Sequence, residues 1–229
     1  AAFAAYQQPV VIAADARHTV KYYSTDKAGN AEAEKPISFS IDRTAQQVGY
    51  TLNPPPNSYG WNNSSVLAVF NGTDTLSGMD ICVSSRTSAE GTGKTLTGWC
   101  RDIAGNIAYS TAVVNVDFSS PAVSAIQTPP PNTNGWNNVP VMVRFSGLDA
   151  ISGTASCTGD TPISLQGVGQ QVQGSCTDRA GNVGSYTRIV NIDRTQPAIN
   201  ISSPAAGQTY IATRGNILVL YDVSDNFDA

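Results

Sequence analysis

Four cysteines are the residues of this chain best suited to covalent chemistry. They are Cys82, Cys100, Cys157 and Cys176, and four cysteines allow three pairings as disulfides. Zinc binding is the alternative, because cysteine thiolates are also zinc ligands. The chain has no closely spaced cysteine pair and only one histidine, so its residues favour disulfides over a zinc site.

The single histidine, His18, is the one side chain able to act as the base of a Ser-His-Asp or Cys-His site. It precedes a strand-like run at 19–23 and has no counterpart elsewhere in the chain. We therefore interpret His18 as a surface or strand-packing residue. With no other candidate base of this kind, we expect that the protein is not an enzyme.

Paired carboxylates are a second route to catalysis, since two flanking acids hydrolyse glycosidic bonds in many enzymes. Six aspartates of this chain, however, recur at equivalent positions. Three lie at predicted turns and three at predicted strand ends: Asp26, Asp102, Asp178, Asp42, Asp117 and Asp193. A catalytic site is not normally copied in every module, so this recurrence indicates a structural role.

We expect no cofactor, and a bound calcium ion is the alternative. Asp222, Asp225, Asn226 and Asp228 form an oxygen-rich cluster, and hard cations prefer oxygen ligands. The Asp-x-Asp-x-Asp-Gly spacing of a dedicated calcium loop is absent. We expect these acids to cap turns, with a calcium site at Asp222, Asp225 and Asp228 as the open alternative.

Trp61 and Trp136 are candidate platforms for stacking on sugar rings. Each follows a glycine and precedes two asparagines, just before a predicted core strand. A tryptophan that covers the end of a sandwich is the simpler interpretation, because burial of the indole removes a large apolar area from water.

Charge and hydropathy exclude two classes of partner. The net charge is −4 at pH 7 and no cluster of lysine or arginine occurs, so the electrostatic signature of a nucleic-acid-binding protein is missing. No apolar run approaches the roughly 18 residues of a membrane-spanning helix. We expect neither nucleic-acid binding nor a membrane span in this segment.

A repeat of about 75 residues organises the chain. The sequence Asp-x-Ala-Gly-Asn begins at Asp26 and returns at Asp102 and Asp178, each time 76 residues later. Gly-Trp-Asn-Asn occurs at 60–63 and at 135–138. The repeat predicts two complete modules, at 45–119 and 120–195. Residues 1–44 form the C-terminal half of a preceding module, and residues 196–229 form the N-terminal half of a following one.

The Asp-x-Ala-Gly-Asn sequence is typical of a tight hairpin turn. Aspartate suits the first position of a type I turn, and glycine suits the later position that needs a left-handed backbone. The predicted structural turn residues are Asp26, Gly29, Asn30, Asp102, Gly105, Asn106, Asp178, Gly181 and Asn182.

Apolar residues on either side of these turns alternate with period two. Val66, Ala68 and Phe70 match the pattern at 141–145, and Val114 and Val116 match the pattern at 190–192. Such alternation marks half-buried strands. Strands and turns in a repeat of this length indicate a Greek-key β-sandwich.

The motifs resemble those of the bacterial Ig-like modules found in large secreted and surface proteins. The resemblance includes Gly-Trp-Asn-Asn, Asp-x-x-Ser-Gly at 74–78 and 149–153, the hairpin turn, and Ile-Asp-Arg-Thr at 41–44. It implies an all-β fold of tandem immunoglobulin-like Greek-key β-sandwiches arranged end to end. It implies little about function, because this family serves adhesion, spacing and display alike.

The repeat selects one cysteine pairing. Each complete module owns two cysteines, which predicts the pairs Cys82–Cys100 and Cys157–Cys176. A loop of about 18 residues closed in this way stabilises a module by roughly 3 kcal/mol. Disulfides form in oxidising compartments, so we expect an extracellular or bacterial cell-surface location.

The connections between modules favour a mechanical role. Only residues 118–121 and 194–197 separate the predicted modules, and each connection contains a proline that limits its bending. We expect a structural stalk, spacer or fibre segment whose partners are neighbouring modules. Head-to-tail self-assembly through the half modules is an open variant.

An adhesin that binds glycan or host protein is the alternative function. It predicts an aromatic row on one sheet face, and the sequence alone reveals none.

Overall fold

The structure, a computed structural model, describes residues 4–87, 89–209 and 216–227. It is all-β, as predicted, and the described residues contain no helix. The chain divides into two compact units, Ala1–Phe118 and Ser119–Ala229.

The described residues of the first unit form eight strands in three antiparallel sheets. The sheet orders are β1-β2, β3-β4-β6 and β5-β7-β8. The strands are β1 Ala16–Tyr22, β2 Lys35–Ile41, β3 Gln47–Asn53, β4 Leu67–Thr73, β5 Met79–Val83, β6 Ser85–Arg86, β7 Gly91–Asp102 and β8 Ile107–Val116.

The two three-stranded sheets of this unit enclose one core, as in a β-sandwich. The predicted alternation supplies it, since inward-facing residues of both sheets are buried: Val66, Ala68, Phe70, Leu96, Ala112, Val114 and Val116. The sheets approach closely at Gly98, where an added Cβ would overlap the Phe70 ring. A side chain larger than hydrogen therefore has no room at this position of β7.

The second unit repeats the plan with the sheet orders β12-β10-β9, β11-β13-β14 and β15-β16. Its strands are β9 Ala122–Thr128, β10 Val141–Leu148, β11 Thr154–Cys157, β12 Thr161–Ile163, β13 Gly167–Asp178, β14 Val183–Ile192, β15 Ala198–Ser203 and β16 Leu220–Ser224. Its core contains the predicted residues Val141, Val143 and Phe145 together with Val172, Val190 and Ile192. Gly174 stands against Phe145 as Gly98 stands against Phe70.

The two-stranded sheets lie in the ranges that the sequence assigns to half modules. Both strands of the β15-β16 sheet are almost wholly exposed, and β2 is exposed except at its last residue. Apolar side chains such as Ile37, Ile199 and Tyr221 therefore remain in contact with solvent. The physical reason is that neither hairpin has an opposing sheet among the described residues.

Candidate metal centre and structural sites

The turn after β7 has the backbone geometry that its sequence predicts. The Gly105 amide donates to the Asp102 carbonyl at 3.2 Å, and Gly105 has a φ of 97°. The Asn106 amide and side-chain nitrogen each donate to the Asp102 carboxylate at 2.8 Å. Asp102 is 1% exposed, so these bonds satisfy a carboxylate that has lost its water.

The equivalent turns at Asp26 and Asp178 have the same construction. Gly29 and Gly181 have φ values of 91° and 99°, and the following asparagine side chain donates to the aspartate at 2.9 Å in both turns. At Asp26 the Asn30 side chain and then its backbone amide lower the pKa of the carboxyl below its ordinary value. The turn at Asp26 thus favours the ionised form of its own carboxyl group.

Three acidic side chains of the first unit meet at the junction between β2 and the following sandwich. The carboxylate oxygens of Asp42, Asp74 and Asp102 lie within 4.8 Å of one another. Asp42 follows the end of β2, Asp74 follows the end of β4, and Asp102 is the last residue of β7. We call this group the acidic junction.

Hydrogen bonds tie the end of β2 to two loops of the sandwich. The Ser77 amide donates to Asp42 Oδ2 at 3.0 Å. The Asn106 side chain donates to the carbonyls of Asp42 and Thr44, at 3.3 Å and 3.4 Å. Residues of the hairpin turn therefore also hold the preceding segment in place.

The loop that follows Asp74 fixes that carboxylate. Asp74 Oδ1 accepts hydrogen bonds from the amides of Leu76, Ser77 and Gly78 at 2.8–3.0 Å. The Gly78 carbonyl in turn accepts a bond from the Ile103 amide at 3.0 Å. The Asp-x-x-Ser-Gly motif thus orients one acid and docks its loop on the hairpin turn.

The acidic junction is chemically suited to a hard divalent cation. Calcium takes six to eight oxygen ligands, with carboxylates prominent among them. Among the salt bridges of the described residues, none neutralises Asp42, Asp74 or Asp102. Three negative charges at this separation repel one another, and a bound cation would remove that repulsion.

Sequence reasoning identified Asp42 and Asp102 as recurrent structural acids but did not bring them together with Asp74. The available signal was that all three positions recur together, as Asp117, Asp149 and Asp178, about one repeat later in the sequence.

The sequence-predicted calcium candidates lie elsewhere. Asp222 lies in β16, Asp225 follows it, and Asp228 lies outside the described residues. Asp225 Oδ1 accepts a bond from the Phe227 amide at 3.1 Å, which is the turn-capping role that the sequence predicts for these acids. Neither Asp222 nor Asp225 belongs to a three-acid group in the described part of the chain.

All four cysteines form the two disulfides that the repeat predicts. Cys82 joins Cys100 with a Cα–Cα distance of 4.1 Å, and Cys157 joins Cys176 at 4.0 Å. Each bond links directly opposite residues of neighbouring antiparallel strands. Cys100 and Cys176 are fully buried, so the disulfides are part of the two cores and leave no thiol for zinc.

The remaining sequence candidates occupy structural positions. The His18 ring nitrogen lies 2.7 Å from the Ala14 carbonyl, and its ring lies 5.6 Å from that of Phe39. Trp61 is 9% exposed, which leaves too little ring surface for a sugar. Trp136 is partly buried, and its ring centroid lies 5.7 Å from that of Phe227.

Comparisons with known proteins do not assign a family. No protein-family model matches the chain, and no curated protein matches it. Among the described residues, no helix has the length and apolarity to cross a membrane.

One solved structure to which the chain is similar is described as a Ca2+-stabilised adhesin that helps an Antarctic bacterium reach out and bind ice. The identity is 16% and the TM-score is 0.34, over 82% of this chain and 61% of the other. The chain thus spans less than two thirds of that protein's length, and a similarity this loose carries no functional argument.

Proposed function

We propose that this chain is a non-catalytic, extracellular array of structural modules that serves as a stalk, spacer or fibre segment. We further propose that bound calcium stiffens the junctions between its modules. The acidic junction is the observation that carries the proposal. It joins the last strand of one module to two loops of the next through Asp42, Asp74 and Asp102. Neighbouring modules of the same polypeptide are the proposed partners.

The proposed action of the cation follows from electrostatics. Without it, the three carboxylates repel one another next to a connection, residues 42–46, that is held by hydrogen bonds such as that from Ser77 to Asp42. With it, acids from three separate segments share one ion. A ligand that binds only the folded state at 100 times its dissociation constant stabilises that state by about 2.7 kcal/mol.

Two observations support an extracellular location: the disulfides, and a calcium site weak enough to need the high calcium concentration found outside cells. Oxidising compartments maintain disulfides such as Cys82–Cys100. Extracellular modules typically bind calcium with dissociation constants of about 10⁻⁴ to 10⁻³ M. Three carboxylates without a dedicated calcium loop suit that range.

The finer fold assignment, an immunoglobulin-like Greek key, is supported by how the chain crosses between sheets. It passes from β4 to β5 in the opposite sheet, returns to β6 beside β4, and crosses again to the β7-β8 hairpin. The second unit follows the same order. A lack of catalysis is supported by His18, whose ring contacts a carbonyl and a phenylalanine.

The test is calcium titration of the full chain after chelation, followed by calorimetric binding and thermal unfolding. We expect calcium to bind and to raise the unfolding temperature of the first unit. Asp74→Asn should weaken this binding, because asparagine retains an oxygen for the amides of Leu76 and Ser77 but removes one negative charge.

The matched control is Asp80→Asn. Asp80 is an exposed acid of the same unit, paired with Arg101 and outside the acidic junction. This variant should bind calcium as the unaltered chain does. Unfolding that is insensitive to calcium, or equal binding by the Asp74 and Asp80 variants, would refute calcium stiffening of this junction.

A further inference from the structure

The outer face of the β5-β7-β8 sheet carries an exposed aromatic and aliphatic strip. Along β7, Leu96, Gly98 and Cys100 are buried, while Arg101 is exposed and Trp99 is partly exposed. An added Cβ at Gly98 would overlap the core residue Phe70, so Gly98 faces inward. Since alternate residues of a strand face opposite sides, Trp99 and Arg101 lie on the outer face.

Strand register places Trp99 at the centre of a row across the sheet. It lies opposite Val83 on β5 and opposite Tyr109 on β8. We call Val83, Trp99 and Tyr109 the aromatic row. Tyr109 is 70% exposed, so the row is open to solvent.

The neighbouring rows of the face mix apolar and hydrogen-bonding groups. On one side lie Ile81, Arg101 and Ile107, and on the other lie Thr97 and Thr111. The two threonine hydroxyls lie 3.4 Å apart. Any ligand that covers the aromatic row therefore also meets hydroxyl groups and a guanidinium.

The aromatic row is not a requirement of the module. At the equivalent positions of the second unit, Ser175 lies opposite Ser185. The second module forms the same β13-β14 hairpin and the same disulfide with serines in place of Trp99 and Tyr109. Packing of the fold does not explain the aromatic residues of the first unit.

Charge restricts what this face can bind. Arg101, the one cation of these rows, is paired with Asp80 at 2.7 Å, so the two charges cancel. An anionic ligand would have to compete with Asp80 for Arg101. An uncharged ligand would contact ring surfaces, hydroxyl groups and an ion pair with no net charge. It would not have to displace Asp80 from Arg101.

The size of the face argues against a globular partner. Three strands about 4.8 Å apart and three rows about 7 Å apart cover on the order of 300 Å². A stable protein–protein interface needs about 800 Å² on each partner. A slender, extended ligand fits the available area better.

We propose that this face binds a neutral polysaccharide chain. Trp99 and Tyr109 offer flat apolar surfaces to the C–H faces of sugar rings, and aromatic residues with a polar edge suit such amphipathic ligands. Thr97, Thr111 and Arg101 stand beside the rings to meet the sugar hydroxyls. The chain would then carry a glycan-binding module, a property that does not depend on calcium at the acidic junction.

Native gel electrophoresis in gels containing a soluble polysaccharide tests the proposal with the full chain, whose net charge of −4 drives it towards the anode. The probes are hydroxyethylcellulose, dextran and galactomannan. We expect at least one to retard the unaltered protein. Trp99→Ser with Tyr109→Ser, which copies the serines at 175 and 185, should weaken binding about tenfold or more.

Two controls make the outcome decisive. Tyr109→Ser alone removes an exposed ring and should reduce retardation, whereas Tyr186→Ser removes a tyrosine from the second unit and should not. No retardation by any of the three probes overturns the proposal, as does equal retardation of the double variant. Self-association that the double variant abolishes, without polysaccharide binding, identifies the face as a protein contact instead and also overturns it.

Discussion

Asn62 and Asn137 occupy equivalent positions in the two units, yet their side-chain oxygens differ in partner. Both donate their amide nitrogen to two proline carbonyls at 3.0–3.2 Å. Asn137 Oδ1 accepts a bond from Gln127 at 2.7 Å. Asn62 Oδ1 is buried without a hydrogen bond in the described structure, because Leu52 stands where the second module has Gln127.

This difference predicts the cost of Gln127→Leu. The substitution removes the bond to Asn137 and the bond from Arg188 Nε to Gln127 Oε1. Since burial of an unsatisfied polar group costs about 1–3 kcal/mol, the free energy of unfolding of the second unit should fall by about that amount. Urea denaturation measures it. An unchanged midpoint for Gln127→Leu would contradict the role assigned to this bond.

At the scale of the element, the hairpin turn depends on glycine in a left-handed backbone. Gly181 has a φ of 99°, and at Gly105, the equivalent glycine of the first unit, an added Cβ would meet no atom within 4 Å. The cost of a side chain at this turn is therefore a cost of backbone conformation. The Asp178 carboxylate, 2% exposed, holds the same turn through the Asn182 amide at 2.9 Å.

Gly181→Val should therefore lower the free energy of unfolding of the second unit by more than about 1 kcal/mol, because a β-branched residue is strained at positive φ. The matched control is Gly159→Val, where an added Cβ also meets no atom within 4 Å and φ is not left-handed. Thermal unfolding of the two variants provides the comparison. Equal melting temperatures would show that the turn does not need glycine.

At the scale of the whole molecule, the two compact units have separate cores. One is built around Phe70 and the other around Phe145. Each core also contains one fully buried cysteine of its own disulfide, Cys100 or Cys176. Stability is therefore expected to be distributed between two largely independent sets of contacts.

Replacement of Cys82 and Cys100 by alanine should destabilise the first unit by about 3 kcal/mol, because the unfolded chain loses the constraint of an 18-residue loop. The second unit should keep its unfolding temperature. Hydrogen exchange at core amides such as Val114 and Val190 distinguishes the two units. Replacement of Cys157 and Cys176 should give the opposite pattern, and faster exchange in both units from either variant would contradict independent cores.

The sequence by itself determined the features that depend on local geometry or on repetition. The Asp-x-Ala-Gly-Asn turns were predictable because aspartate and glycine at that spacing restrict a few neighbouring backbone angles. The core positions around Val66 and Val141 could be predicted because apolar residues alternate with period two along these strands. The pairs Cys82–Cys100 and Cys157–Cys176 could be predicted because each complete repeat contains two cysteines.

Only the tertiary structure decided which distant side chains meet. Asp42, Asp74 and Asp102 converge from three separate segments, whereas the sequence directed attention to the acids around Asp225. The aromatic row could not be predicted from the sequence, because its members are distant in the chain. Trp99 and Tyr109 face each other through the register of β7 and β8, and proximity across strands follows from the folded pairing of the chain.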